Sequence, residues 1–441
     1  MKLSIGLFKV IRMKIALVYA FKDSFWFSCT KITANLRESY KAAYGEEQLA
    51  SFDYDLKRSD FDLAQLAESI HSYAPDKIVF LDHNPHPLQL ISFLAKRKYS
   101  QRKLPEIIIH VFGCFSLHFQ QWKELGHILK ENLVKFFCAS DRQVNFVRQF
   151  FEDRETYIKK VPFPVNSKEF YYQEEKNEIK HKLGIDEEAK IILYTGRLSL
   201  QKRIIELLDI FVKAHQNRDI PNNTYLILAG KFDSFAFNFG HVFEREGEYF
   251  RTVDRAMGQY PKEIVKKIIL LGNVKNSELQ KYYSIADLFV SFSTYHDEDY
   301  GMSVAEAGAC GCPLLLTDWA GFSSFKKNDS CQLIKTHLTR KQPEFDQKEA
   351  YEKLVAMIKK PQTVSRTKIA QLFAQDHSIE SVSKILKDYL SQESLNFIGF
   401  NSFLDELAYA EKAYGHVFYN QIERKLNDNY LKTYETYVRE Y

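Results

Sequence analysis

The feature that most constrains the fold is an alternation of short apolar runs with helical stretches, which occurs twice along the 441 residues. The strands predicted in the first half are Lys14–Tyr19, Lys77–Leu81, Glu106–Val111 and Lys135–Ala139, with helical stretches near residues 31–43, 61–73, 86–97, 115–130 and 141–151. The strands predicted in the second half are Ile191–Tyr194, Tyr225–Ala229, Ile268–Gly272, Leu288–Phe292, Pro313–Thr317 and Cys331–Lys335. Such alternation is typical of βαβ units and parallel sheets. The chain is therefore predicted to be an α/β protein with two Rossmann-like, doubly wound domains that face a cleft.

The overall charge argues against nucleic acid as a partner. Lysines and arginines number 61 and aspartates and glutamates 57, so the excess is only 61 − 57 = 4 positive charges. No apolar run is long enough to span a membrane, and Lys2, Lys9 and Arg12 interrupt any secretory signal, which predicts a cytoplasmic protein. The six cysteines lack metal-site spacing with histidines. Cys310 and Cys312 could form a redox pair; the alternative is that all six are small buried residues of a cytosolic protein.

Two carboxylates stand eight positions apart after one predicted strand. Glu298 lies in the loop that follows Leu288–Phe292, and Glu306 lies in the first turns of a helix predicted to start near Ser303. The carboxyl edge of an open α/β sheet is where ligands bind, and the amides of a helix N-terminus favour phosphate. Since carboxylates accept hydrogen bonds from hydroxyls, this stretch predicts a ligand with both phosphate and hydroxyl groups, such as a nucleotide sugar.

The same stretch carries a family resemblance. Glu298, seven intervening residues, Glu306 and then Ala-Gly-Ala-Cys-Gly-Cys-Pro313 resemble the signature of retaining glycosyltransferases of the GT-B fold, the family-four type or glycosyl transferases group 1. A second motif, Thr195-Gly-Arg-Leu-Ser-Leu-Gln-Lys-Arg203, resembles the family's Gly-Arg-x-x-x-x-Lys-Gly, with Arg203 where glycine is usual. An arginine at a strand end can fork to a diphosphate and a lysine adds a compact charge, at about 1.5–3 kcal/mol for each charge-assisted bond.

The resemblance implies a role for each matching residue. Glu306 would hold the ribose hydroxyls, Glu298 would lie against the donor sugar, and Asp299 would contact another hydroxyl or cap the helix. Val274, after the strand that ends at Gly272, would contact the nucleobase. The catalytic residues predicted in this way are His110, Arg197, Lys202 and Glu298. The predicted donor-binding residues are Gly196, Arg197, Lys202, Asn273, Val274, Glu298, Asp299, Tyr300, Gly301, Met302, Ser303 and Glu306.

The first half supplies candidates for the opposite wall of the cleft. His110, at the end of a predicted strand, matches the family's histidine that faces the donor sugar, although a histidine there can also be a satisfied structural residue. His83 is an acceptor-side candidate. Phe25 and Trp26 follow the first strand, where many family members carry a glycine pair, and they could stack on an acceptor or simply pack.

No metal or cofactor is predicted. The triplets Asp53-Tyr-Asp55 and Asp60-Phe-Asp62 lie near a helix start, where acids cap or face solvent, and Arg197 and Lys202 supply the positive charge that a metal would otherwise give.

Three regions are predicted along the chain. An acceptor-side domain covers residues 13–165 together with a crossover helix at about 376–391; the nucleotide-sugar domain covers 166–375; and a helical tail covers 392–441. Residues 231–263 are read as an insertion near the cleft. In the tail, aromatic and aliphatic residues recur every three or four positions from Tyr414 to Tyr441, which predicts one long helix with an apolar stripe. That stripe would pack on the body or on a second copy, and contact with the inner membrane surface stays open.

The activity that the resemblance implies is retaining transfer of a hexose of the glucose, N-acetylglucosamine or mannose type from a nucleotide diphosphate sugar to an unknown hydroxyl acceptor in glycan or cell-envelope biosynthesis. A UDP-hexose is the predicted donor, with GDP-mannose as the alternative. Rival readings are a sugar-nucleotide epimerase or phosphorylase on the same fold, and a non-catalytic scaffold that binds nucleotide sugars.

Overall fold

The protein is described by a computed structural model that covers residues 13–22, 27–55, 59–96, 104–153, 158–174, 177–233, 247–360, 363–420, 422–423 and 425–438. The predicted acceptor-side residues Phe25 and Trp26 therefore lie outside the described residues, and so do residues 234–246 of the insertion. In the described part of the chain, no helix is both long and apolar enough to cross a membrane.

The first domain is built on a parallel sheet. Its strands are β1 (Ile15–Tyr19), β2 (Leu49–Asp53), β3 (Lys77–Phe80), β4 (Glu106–Val111), β5 (Val134–Cys138) and β6 (Ile158–Lys160). Its helices are α1 (Phe27–Tyr44), α2 (Asp60–Tyr73), α3 (Leu88–Lys96), α4 (Phe119–Leu129) and α5 (Asp141–Arg148). Among the described residues the strand order is β2-β1-β3-β4-β5-β6. The apolar runs form strands because both faces of the sheet are covered, and β1, β3, β4 and β5 are buried almost throughout.

The second domain repeats this plan. Its strands are β7 (Lys190–Thr195), β8 (Thr224–Ala229), β9 (Ile268–Gly272), β10 (Leu288–Ser291), β11 (Leu314–Thr317) and β12 (Cys331–Ile334). Its helices are α6 (Asn177–Lys182), α7 (Ile204–Gln216), α8 (Glu248–Met257), α9 (Lys262–Val265), α10 (Asn276–Ile285), α11 (Met302–Ala309), α12 (Gln347–Lys359) and α13 (Arg366–His377), with a hairpin of β13 (Thr336–Leu338) and β14 (Pro343–Phe345). In the described part the parallel order is β12-β11-β10-β7-β8-β9, with β7 at an interior position. The predicted fold class, two Rossmann-like domains of GT-B type, is confirmed.

The chain crosses back to the first domain after α13. Helix α14 (Ile379–Ser391) packs against α1, and the Val165 amide donates to the His377 carbonyl at 2.7 Å, where the chain first leaves that domain. The Ser378 side chain caps α14 by accepting from the Ser381 amide. One apolar core cluster runs continuously from the first domain through Phe163 and Phe170 into the second.

The long tail helix predicted from the aromatic repeat is wrong. The tail instead forms α15 (Ser402–Tyr414), a short hairpin of β15 (Tyr419–Asn420) and β16 (Lys425–Leu426), and α16 (Asp428–Tyr434). Gly415, with φ +67°, ends α15 in a left-handed conformation, and Ile422 in the predicted stripe is 95% exposed. The two helices do pack on the body: α15 lies on α4, and Tyr430, Tyr434 and Tyr437 join the core of the first domain.

Candidate functional site

The candidate site lies where the loops after β7 and β10 meet. These strands are parallel neighbours, with Leu288 and Phe289 opposite Ile192 and Leu193. Because the carboxyl ends of parallel neighbours reach the same edge of a sheet, residues 196–203 and 292–301 come together there. The loop after β7 turns through a short 3-10 segment, Leu200–Lys202, before α7 begins.

Lys202 and Glu298 form an ion pair at the centre of this edge. The Lys202 ammonium contacts the Glu298 carboxylate, and the two side chains are 14% and 12% exposed. The ammonium also lies 5.2 Å from the ring centroid of Tyr295. Burial lowers the pKa of Lys202, while the Glu298 carboxylate acts in the opposite direction. The pair therefore keeps a positive and a negative group together in a partly desolvated position.

Arg197 adds a second cation on the same aromatic ring. Its guanidinium carbon lies 5.6 Å from the Tyr295 centroid, and Nη1 contacts Asp233 Oδ2 at 2.5 Å. Burial is the largest single influence on the pKa of Arg197 and acts to lower it. The pKa is nevertheless raised, because the hydrogen bond to Asp233 and the electrostatic attraction of Tyr295, Asp233 and Tyr194 together outweigh burial. Arg197 and Lys202 thus flank one face of the loop after β10, each beside a carboxylate.

Glu306 is joined to the same edge through Tyr283. The Tyr283 hydroxyl donates to Glu306 Oε2 at 3.0 Å and shares a hydrogen bond of 2.7 Å with Thr195 Oγ1, at the last residue of β7. Burial raises the pKa of Glu306 from its ordinary 4.5 to about 8. Without a ligand, the buried carboxyl group therefore keeps its proton around neutral pH.

Gly301 sets the start of α11. Its φ of +101° is in the left-handed region, and a Cβ there would lie 2.5 Å from Phe322 Cε1. Met302 and Ser303 follow in the first turn, where backbone N–H groups have no carbonyl partner within the helix. The N-cap of the helix thus lies three residues after Glu298, and the free N–H groups of its first turn are of the kind that bind anions.

Arg203 replaces the family's usual glycine at a position with φ +56°. Its buried guanidinium donates from Nε to Thr294 Oγ1 at 2.8 Å and from Nη1 to Glu206 at 3.0 Å, and Nη2 donates to the Pro343 carbonyl. Arg203 therefore connects the loop before Tyr295 to the β13–β14 hairpin and offsets the backbone strain of its own position.

Asp299 and Tyr300 turn away from the cation pair. Asp299 does not cap α11, since the N-cap is Gly301, and its carboxylate instead accepts hydrogen bonds from Gln143 and from Tyr437. The Tyr300 hydroxyl donates to the Phe163 carbonyl and pairs with His377 Nδ1, both at 2.8 Å. In this structure both side chains hold the junction between the domains, which corrects the expectation that they face the donor.

His110 is a core residue rather than a residue of the cleft. It is fully buried in β4, its Nε2 pairs with the Tyr40 hydroxyl of α1 at 2.9 Å, and its ring packs edge-on against Phe137. Burial lowers its pKa to about 3, so the ring is neutral. The structural reading, which the sequence left open, describes the position of this histidine, although its buried Nδ1 has no hydrogen-bond partner among the described residues. The expectation that the ring faces the donor is corrected.

His83 is likewise enclosed in the first domain. The ring is 0% exposed, its Nδ1 accepts from the Phe112 amide at 3.1 Å, and Trp122 packs beside it. Burial lowers its pKa to about 3. The acceptor-side expectation for His83 is corrected in the same way, because no face of the ring reaches the surface.

Of the nucleobase candidates, Asn273 is exposed after β9, and Val274 packs partly against the core.

Asp297 was missed by the sequence reasoning, although it stands next to Glu298. It is buried, and its Oδ2 accepts from Cys114 Sγ at 2.8 Å and from the Tyr295 hydroxyl at 3.1 Å, with His296 Nε2 at 3.0 Å. The His296 neighbour helps to hold the pKa of Asp297 at about 2, against burial, which acts to raise it. The sequence feature that could have indicated Asp297 is the run Tyr295-His-Asp-Glu-Asp-Tyr300, which holds more ionisable groups than a single ligand contact needs.

Among the described residues, no cluster of three or more His, Cys, Asp or Glu side chains could hold a metal ion.

Residues 175–368 match the family described as glycosyl transferases group 1. The chain is therefore similar to that family over this stretch. The match covers β7, the 3-10 turn that carries Lys202, the strand before Glu298 and the whole of α11, which is the part of the chain that builds the site.

Curated relatives resemble the chain over a limited length. A lipopolysaccharide 1,2-N-acetylglucosaminetransferase of Salmonella typhimurium is 30% identical over 199 residues, which is 45% of this chain and 47% of that protein. An alpha-monoglucosyldiacylglycerol synthase of Acholeplasma laidlawii is 28% identical over 160 residues, 35% of each chain. The chain thus spans less than half the length of these relatives.

Solved structures agree with the fold over a longer stretch. HepE of Anabaena, crystallised with UDP, superposes with a TM-score of 0.64 at 14% identity, covering 86% of this chain and 100% of that one. A glycosyltransferase of Rickettsia africae gives 0.61 at 16% identity, with 86% and 100% covered. At such identities the likeness establishes the shared two-domain architecture.

Proposed function

We propose that the protein transfers a hexose from a nucleotide diphosphate sugar to a hydroxyl acceptor with retention of the anomeric configuration. The observation that carries this is the pair of cations, Arg197 and Lys202, held over Tyr295 beside Glu298 and the start of α11. Two cations and a helix N-terminus at one sheet edge fit a diphosphate, and carboxylates beside them fit the hydroxyls of a sugar nucleotide.

In this proposal Arg197 and Lys202 stabilise the charge that develops on the leaving diphosphate. Such groups accelerate a reaction when they bind the developing charge more strongly than the ground state. As the donor binds, Lys202 exchanges its contact with Glu298 for a phosphate oxygen, and Glu298 accepts from a sugar hydroxyl instead. The bond from the anomeric carbon to the phosphate oxygen breaks, the acceptor oxygen bonds to that carbon on the same face, and the acceptor proton passes to the departing phosphate oxygen.

Glu306 is assigned to the ribose. The residue is buried, with 7% of its surface exposed, at the sheet edge that forms the site. Tyr283 already donates to one carboxyl oxygen of Glu306, which leaves the second oxygen for ribose hydroxyls. A uridine diphosphate hexose is the donor we favour. The relatives named for N-acetylglucosamine and glucosyl chemistry support a hexose, and the UDP bound to HepE supports the base.

The test is a screen of nucleotide sugars against hydroxyl acceptors, with free nucleoside diphosphate as the readout. We expect release of UDP from one or more UDP-hexoses, with an acceptor-dependent product whose new bond keeps the donor's anomeric configuration by NMR. A product of inverted configuration would contradict retention. Donor isomerised without an acceptor would indicate an epimerase, and cleavage driven by phosphate would indicate a phosphorylase. Tight UDP binding with no turnover on any pair would indicate a scaffold.

A further inference from the structure

The end of the described chain lies between the two domains. Residues 427–438, here called the terminal segment, comprise α16 and the 3-10 turn Glu435–Tyr437. Tyr430, Tyr434 and Tyr437 are 0–1% exposed, so the segment is packed in place rather than laid on the surface. Neither the family resemblance nor the proposed chemistry assigns it a role.

The last of these tyrosines reaches the loop that carries Glu298. The Tyr437 hydroxyl donates to Asp299 Oδ1, next to the ion-paired carboxylate. Gln143 Nε2 donates to the other carboxylate oxygen at 3.1 Å, and Ser140 Oγ donates to the Asp299 carbonyl at 2.7 Å. A residue of the second domain is therefore held by helix α5 of the first domain and by the terminal segment together.

Tyr437 is itself fixed by the first domain. Arg142 Nη1 donates to the Tyr437 carbonyl at 2.7 Å and to the Asp318 carbonyl at 2.9 Å, and its Nη2 contacts Asp318 Oδ1 at 2.8 Å. One guanidinium therefore binds both the terminal segment and the residue after β11. A shift of Tyr437 relative to the second domain would break the Arg142 bonds as well as the bond of its own hydroxyl.

The Tyr437 ring also supports the other end of the loop. It lies edge-on to Trp319, with centroids 5.5 Å apart, and Trp319 Nε1 donates to the Tyr295 carbonyl at 2.6 Å. Tyr295 is the residue whose ring faces Arg197 and Lys202. The hydroxyl and the ring of one tyrosine thus restrain both ends of the stretch from Tyr295 to Asp299.

We propose that Tyr437 is a positioning residue for the donor loop, residues 295–301, and that the terminal segment holds this loop in the conformation that presents Tyr295 and Glu298 to the donor. Tyr437 itself contacts no reacting group. The restraint on the loop is independent of the reaction, whereas the expected effect on donor binding rests on the proposed function.

The test compares two variants that each remove one hydroxyl from the terminal segment. Tyr437→Phe deletes the hydrogen bond to Asp299 and keeps the ring. Tyr434→Phe is the matched control, because the Tyr434 hydroxyl pairs with Ser116 of the first domain at 2.7 Å rather than with the donor loop, and the variant keeps the ring that lies edge-on to His296. Hydrogen exchange of the 298–300 amides is measured in the ligand-free proteins, and KM for donor and for acceptor are measured separately.

For Tyr437→Phe we expect about 10-fold faster exchange of those amides and about a 10-fold higher donor KM, with acceptor KM unchanged. For Tyr434→Phe we expect wild-type values of all three. Asp299→Asn, which weakens the same network from the other side, should also speed exchange. Wild-type exchange in Tyr437→Phe, or an equal rise in Tyr434→Phe, would overturn the proposal. Faster exchange in a protein that turns over no donor would uphold the positioning role and reject the transferase.

Discussion

Lys202 and Glu298 are 96 positions apart in the chain, yet their side chains form an ion pair at the edge of the second sheet. The parallel pairing of β7 with β10 brings them together, since the loops after these two strands leave the sheet side by side. Their contact makes the first prediction specific.

Replacing Lys202 with alanine should lower kcat/KM by about 100-fold or more, because in the proposed mechanism it removes a charge that binds the leaving diphosphate. The variant should stay folded, since Lys202 lies at the edge of the site and water can reach Glu298 once it is gone. Lys213→Ala is the matched control: that lysine also lies over a tyrosine ring, 5.1 Å from the Tyr351 centroid, but far along α7. Near-wild-type turnover by the Lys202 variant would remove this residue from the mechanism.

The buried Glu306 should make stability depend on pH. The folded protein raises its pKa from 4.5 to about 8, so between these values the folded chain holds a proton that the unfolded chain releases. The contribution is fully present below pH 4.5 and is lost as the pH rises through 8. Thermal unfolding at pH 6 and pH 8.5 should therefore show a smaller loss of stability in Glu306→Gln than in the wild type. Glu278→Gln, at an exposed position on α10, should keep the wild-type difference, and equal losses in all three proteins would refute the assignment.

Restoring the family's glycine at position 203 should destabilise the protein. Glycine relieves a left-handed backbone, worth about 1 kcal/mol, but deletes the guanidinium bonds to Thr294, Glu206 and Pro343, so the free energy of unfolding should fall by about 2 kcal/mol in net. Arg218 is a control with nearly the same backbone, φ +59°, and an exposed side chain. Arg218→Gly should be neutral or slightly stabilising in denaturant unfolding, and an Arg203→Gly variant that is also stabilised would contradict the structural role.

Adding a methyl group at Gly301 should disrupt the start of α11. The Cβ would meet the Phe322 ring at 2.5 Å in a backbone conformation that suits glycine, so donor affinity should fall by at least 10-fold. Gly184→Ala tests the backbone effect alone, because φ there is +66° and nothing lies within 4 Å of the added carbon. Calorimetric titration with UDP would compare the two, and equal affinities would show that the helix start does not contribute to the site.

The buried His110 should affect stability and not turnover. Tyr40→Phe removes its hydrogen-bond partner and should lower the free energy of unfolding by about 1–2 kcal/mol while kcat stays within twofold. Denaturant unfolding and steady-state kinetics on the same preparation would separate these effects. A large fall in kcat with unchanged stability would return His110 to the catalytic group.

Sequence periodicity was enough to predict the strands of the second sheet, most of which are continuous apolar runs. It missed β2 and β6, because Leu-Ala-Ser-Phe-Asp is only half-buried and the other strand has three residues. The prediction of one long tail helix was wrong for a different reason. Apolar residues in two short helices and a hairpin have the spacing expected of one long helix, and only Gly415 indicated the break.

The sequence predicted which loops come together but not the direction of their side chains. Lys202 and Glu298 meet because the pairing of β7 with β10 brings their loops to one edge, and their role in binding a donor stays a prediction. His110 lies in β4 of the first sheet and Asp299 in the loop after β10 of the second. The His110 ring contacts Tyr40 of α1 and the Asp299 carboxylate contacts Gln143 of α5, and those directions depend on tertiary packing. Tyr437 could not be found from local sequence, since its partner is 138 positions away.

The pairing of each site cation with a carboxylate of its own has a consequence for selectivity. Arg197 and Lys202 are already neutralised by Asp233 and Glu298, so an incoming anion must first displace an internal counter-ion. Sulfate or inorganic phosphate brings too few other contacts to offset that exchange, whereas under the proposed function a nucleotide sugar adds the contacts of its base, ribose and sugar. Millimolar phosphate should therefore compete poorly with the donor.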